Sequence, residues 1–140
     1  MQKALNKFIK EICKDLDIPI PSISFDTSGF TSDTMISQCS SAKNIIYIKR
    51  FERLNLDILF AIAHELRHLW QVRTDEKFYV THYTTSIPTE DYNKQIAEID
   101  ANAYAGLVMI NLFGVKPLFN GLSNDIVKMI YNRMEEIKNN

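Results

Sequence analysis

The chain is short of most features that would announce a specialised class. It has only two cysteines, Cys13 and Cys39, and they form no CxxC pair. Two free, buried thiols in a reducing cytosol are the expectation, with a single Cys13–Cys39 disulfide as the alternative, and nothing in the context of Cys39 supports it as an inhibitory fourth metal ligand. Charge of one sign is also missing: 16 basic against 17 acidic residues give a formal net charge of -1. Neither a nucleic-acid partner nor an anionic membrane surface is expected from such a balance. No apolar run approaches the roughly 18 residues needed to cross a bilayer. The opening MQKALNKFIKEICKDL is charged at helical spacing and lacks the apolar stretch and cleavage site of a secretory signal, so a cytoplasmic location is expected. There is no internal repeat and no low-complexity tract.

What remains is ordinary globular composition, 46% hydrophobic and 24% charged, over 140 residues. This suits one domain from Met1 to Asn140 with a core of its own. Leu5, Phe8, Ile9, Ile12 and Leu16 recur at helical spacing and predict an amphipathic helix over Lys3–Leu16, broken by Pro19 and Pro21. Ser22–Phe25, Met35–Ser40 and the β-branched, aromatic Asn44–Phe51 predict three short strands in a small antiparallel sheet. A helix follows over Leu56–Arg73 behind an Asn55 cap, then a Thr/Tyr-rich loop over Thr74–Pro88. Thr89 opens a further helix to Phe113, stopped by Gly114, and Ser123 or Asn124 caps a last one to Ile137. The expected class is α+β, with one helix, a small sheet and then three helices.

The chemistry lies in His64-Glu65-Leu66-Arg67-His68, inside the Leu56–Arg73 helix. Residues four apart share a helix face, so both imidazoles can reach one zinc ion at about 2.0–2.1 Å. Glu65, one position on, sits beside the metal, where it can take a proton from water whose pKa zinc lowers to about 7. Ala61, His64, His68 and Gln71 form one stripe, while Ile62, Leu66, Leu69 and Val72 supply apolar packing elsewhere. A catalytic zinc needs a third protein ligand. Glu98, in Glu98-Ile99-Asp100-Ala101-Asn102-Ala103-Tyr104-Ala105, is that candidate, and Asn102 one turn later can bond the free nitrogen of a ligand imidazole. Asp100 projects about 200° away from Glu98 on an ideal helix and is the poorer ligand. Ala101, Ala103 and Ala105 allow close packing on the first helix. Donors to a developing oxyanion are sought in His82 and Tyr83, with Tyr92 and Tyr104 behind them.

HELRH paired with EIDANAYAGLVM resembles the gluzincin metallopeptidases, zincins with an HExxH helix, and especially the minimal ImmA/IrrE-type proteins of bacteria and mobile elements. The resemblance covers roughly Asn44–Ile110. It implies a zinc peptidase with Glu98 as third ligand, an intracellular protein or peptide substrate, and a transcriptional repressor as its class. It also likens the NIIYIKRF strand to the one lying beside the family's substrate cleft. Arg67 stands where the family often has glycine, and Asn102 where thermolysin-like members carry an acid. A non-catalytic zinc-binding regulatory or interaction module is the alternative that the same residues allow.

Overall fold

The structure is a computed structural model that describes residues 2–81 and 92–139, with the backbone alone over 75–81. Helix α1 spans Gln2–Leu16 and buries Leu5, Phe8, Ile9, Ile12, Cys13 and Leu16, the apolar face read from the spacing together with Cys13. It ends in a left-handed residue, Asp17 (φ 55°), with Ile18 N–H bonded back to the Cys13 carbonyl at 3.0 Å. That closure satisfies carbonyls the last turn would otherwise leave unpaired. Strands β1 (Ser22–Ser24), β2 (Ser37–Ser40) and β3 (Ile45–Ile48) follow, each shorter than its predicted segment.

The class is α+β, as expected, but the sheet is mixed. Its order is β1-β3-β2: β2 pairs antiparallel with β3, and β1 pairs parallel with β3. Composition explains the order. The apolar strand IIYI takes the centre, where Ile46 and Ile48 are fully buried, and the serine-rich β1 and β2 take the edges. With β2 joined to β3 as a hairpin, β1 is left the other side of β3.

Helix α2 spans Leu56–Thr81, begun by Asn55, whose side-chain oxygen accepts from Ile58 N–H at 3.0 Å. It therefore runs past Arg73 into the segment expected to be a loop. Thr74–Thr81 has lost amphipathic spacing but contains neither proline nor glycine, so nothing local stops the helix. Helix α3 spans Ile96–Phe113, stopped by Gly114 in the left-handed region (φ 65°). The predicted start at Thr89 lies outside the described residues. Helix α4 spans Asn124–Lys138, capped by the Ser123 hydroxyl.

Helix α3 is apolar on two sides and occupies the centre. Tyr104, Ala105, Val108 and Met109 join α1, the sheet and α2 in the main core. Ile99, Ala103 and Leu107 pack with Ile126, Ile130 and Met134 of α4. Of the three alanines expected to approach α2, Ala103 thus belongs to the α4 side. Among the described residues no helix is long and apolar enough to cross a membrane, and both cysteines are free thiols.

Candidate metal centre

His64 and His68, one turn apart on α2, bring their Nε2 atoms within 3.0 Å of each other, and each lies 3.0 Å from Glu98 Oε2 on α3. Their other ring nitrogens are engaged. His64 Nδ1 is 2.8 Å from Asn102 Oδ1, and His68 Nδ1 is 2.9 Å from Gln71 Oε1. Amide oxygens only accept, so Nδ1 carries the proton in both rings and each neutral Nε2 offers a lone pair. Three lone-pair atoms in mutual contact repel one another unless a cation or protons lie between them. His64, His68 and Glu98 can hold a metal ion, and among the described residues they are the group whose ligand atoms converge closely enough to do so.

In the metal-free chain protons fill this role. Burial acts to lower the His68 pKa, but the hydrogen bond and charge of Glu98 overcome it, with Glu65 and Gln71 adding, and it is pushed up to about 9. Burial likewise acts to raise Glu98, and the charge and hydrogen bonds of the two histidines hold it well below the usual carboxylate range. A pH dependence follows. An unfolded histidine titrates near 6.5, so the His68 contribution is complete below that pH and is lost as the pH rises through about 9. The Glu98 contribution is complete above 4.5 and is lost as the pH falls from there. Metal-free protein in chelator is therefore expected to melt highest between pH 4.5 and 6.5 and progressively lower towards pH 9. The rise in melting temperature caused by metal should grow over the same range, because metal competes with the proton for the imidazoles. Differential scanning fluorimetry across a buffer series checks both slopes; a flat metal-free profile from pH 6.5 to 9 would remove the proposed ion pair.

Glu65, one residue past the first histidine, is buried next to this triangle. Its Oε2 accepts from Ser37 Oγ on β2 at 2.7 Å. Two residues along the same strand, and so on the same face of the sheet, Cys39 lies close enough to Glu65 to feel its charge. Burial first, then the charge of Glu65, push the Cys39 thiol well above its ordinary pKa, so the sulfur stays protonated. Cys39 is not part of the metal-holding group. The strand that meets Glu65 is thus β2, the sheet edge, while the NIIYIKRF segment forms the sheet centre. β3 is the more hydrophobic strand, and that is what places it in the centre of the sheet.

The remaining expectations divide. Asn102 meets the His64 imidazole, and Asp100 points away from the triangle. Its carboxylate is held instead by Arg67 (Nε to Oδ2, 2.8 Å), Arg133 of α4 (Nε to Oδ1, 2.9 Å) and Gln71 (Nε2 to Oδ2, 2.8 Å). Burial acts to raise the Asp100 pKa, and the Arg67 bond and charge, with Gln71 and Arg133, bring it below the usual value. Arg67 itself lies against the Trp70 ring, 3.6 Å from the centroid, and against Tyr104 at 4.8 Å. Tyr104 is not an oxyanion donor: its hydroxyl donates to Asp15 of α1 at 2.7 Å. His82 and Tyr83 lie outside the described residues. Ser37, and the part Gln71 plays, were not found by sequence reasoning. Ser37 lies 28 residues from its partner and no local pattern marks it. Gln71, on the histidine stripe, carried a signal in its spacing from His68.

No family model, curated protein or solved structure matches the chain.

Proposed function

We propose that the protein is a zinc-dependent peptidase in which Glu65 is the general base. The observation that carries this reading is the convergence of His64 Nε2, His68 Nε2 and Glu98 Oε2 at 3.0 Å, with a buried carboxylate alongside. Two imidazoles and one carboxylate form a donor set typical of catalytic zinc. Donors at about 2.05 Å from a tetrahedral zinc are about 3.3 Å apart, so the triangle need open only by tenths of an ångström. Bound there, zinc would polarise a substrate carbonyl and make a water acidic enough to give up a proton near neutral pH.

The chain's own residues do the rest. Glu65 Oε accepts the proton of the attacking water and returns it to the departing amide nitrogen. Ser37 Oγ, donating to Oε2, orients the carboxylate for both transfers. Asn102 and Gln71 hold the two imidazoles. Strand β2 pairs only with β3 among the described residues, so its outer edge can take an extended peptide as a further strand. That favours a peptide as substrate, and the likeness to ImmA/IrrE-type peptidases extends the reading to a regulatory protein.

Protein purified without added metal is expected to carry about one zinc per chain by inductively coupled plasma mass spectrometry. It should cleave members of a pool of synthetic peptides, read by mass spectrometry, lose that activity in 1,10-phenanthroline and regain it with zinc. Absence of zinc even after incubation with it would overturn the proposal.

A further inference from the structure

Gln71 is 2% exposed, and its amide makes three hydrogen bonds. Nε2 donates to the Ala97 carbonyl at 2.8 Å and to Asp100 Oδ2 at 2.8 Å, and Oε1 lies 2.9 Å from His68 Nδ1. Two of these partners are acceptors and cannot be otherwise. The Ala97 oxygen is a backbone carbonyl, and Asp100 receives bonds from two guanidinium groups that have no proton-accepting alternative. The amide therefore has one allowed orientation. Rotated by half a turn, Oε1 would face two acceptors in a buried space, and both NH2 protons would be turned towards His68. In the allowed orientation Oε1 requires a hydrogen on His68 Nδ1, which leaves the lone pair on Nε2, the atom at the triangle.

We propose that Gln71, locked by Asp100 and the Ala97 carbonyl, is the positioning residue that fixes the His68 ring and its tautomer for metal binding. The inference rests on the metal-centre reading above and deepens it. The lock reaches beyond α2. Ala97 and Asp100 belong to α3, and Arg133, which binds Asp100 through Nε and also through Nη2 at 2.8 Å, belongs to α4. Arg67, one residue before His68, places its fork on the same carboxylate through Nε and Nη2 at 2.8 and 3.0 Å. Docking of all three helices thus sets the orientation of one imidazole. From α3, Asn102 Oδ1 meets His64 Nδ1.

The test combines one variant with one measurement on the unaltered protein. Gln71→Met keeps length and volume but offers neither the donor nor the strong acceptor. Removing such a partner of a metal-ligating histidine typically weakens metal binding about 10- to 100-fold. That loss is expected for Gln71→Met in zinc competition against a chromophoric chelator, with a wild-type far-ultraviolet circular dichroism spectrum. The Co2+-loaded variant should also show altered ligand-field bands, a change that a general loss of stability would not produce. In the unaltered, zinc-loaded protein, long-range 1H–15N correlation spectra should show His68 Nδ1 protonated, with a slowly exchanging hydrogen, and Nε2 bound to metal. Metal on Nδ1 overturns the inference even if the variant does not fold. So does Gln71→Met with unchanged zinc affinity and unchanged Co2+ bands, where the unaltered protein binds both metals. Unaltered protein that binds neither metal overturns the metal-centre reading, and this inference with it.

Discussion

Glu65→Gln is expected to slow peptide cleavage by roughly two to four orders of magnitude, the usual contribution of a positioned proton acceptor, while zinc stays bound. The two effects separate because Glu65 supplies none of the three converging ligand atoms. Glutamine matches glutamate in volume, and its amide oxygen can accept the Ser37 hydroxyl bond that Oε2 accepts now. The fold and the triangle should therefore persist, with a melting temperature close to that of the unaltered protein. One secondary change has a defined sign. The charge of Glu65 helps to raise the His68 pKa in the metal-free chain, so its loss lowers that pKa. Zinc content by mass spectrometry and kcat/KM on a cleaved peptide measure both quantities on one preparation. Cleavage retained by the variant would remove Glu65 as the base. Zinc bound by both proteins with cleavage by neither would favour the non-catalytic zinc module.

The convergence of His64, His68 and Glu98 was legible because half of its geometry is local. His64 and His68 are one turn apart, and Glu98 and Asn102 are one turn apart, so helical periodicity alone placed each pair on one face. What joins the pairs is tertiary, and legibility falls off there. Asp100 projects off the face of Glu98 and Asn102, which the helical angle indicated, and Arg67 projects off the histidine stripe. That they meet each other is a property of two helices packed side by side. A buried acid on one helix and a buried base on its neighbour were a signal for it, since neither charge could remain unpaired. Ser37 came from a weak strand whose position in the sheet depends on which strand is most apolar. The parallel pairing of β1 has the same origin: strand composition indicates who sits in the centre, whereas a pairing direction depends on the path of the chain between strands. The extension of α2 to Thr81 marks the opposite limit, a helix that continues where amphipathic patterning has ended because nothing stops it.

Asp100→Ala should be the most destabilising single change near the site. Asp100 is 1% exposed and is the carboxylate on which Arg67 and Arg133 converge. Removing it leaves Arg67, itself 6% exposed, with a buried charge whose other contacts are the Trp70 and Tyr104 rings. Breaking a buried pair from one side typically costs about 3–5 kcal/mol. For 140 residues that corresponds to a fall in melting temperature of roughly 10–20 °C. Arg133 is less affected, since its guanidinium is partly exposed and also lies 3.9 Å from Glu136. The cost is thus assigned mainly to Arg67, and a double change tests that assignment. Asp100→Leu with Arg67→Leu removes both charges and should melt higher than Asp100→Ala alone, because the stranded guanidinium is gone. Melting temperatures of both metal-free variants by calorimetry decide it. A double variant as unstable as the single one would mean that the pair contributes net attraction, and that the low exposure of Arg67 is not the source of the cost. Metal affinity supplies a second readout on the same proteins. Both variants take away one of the two acceptors that orient Gln71, so both should bind zinc more weakly, even where the double variant has recovered its stability.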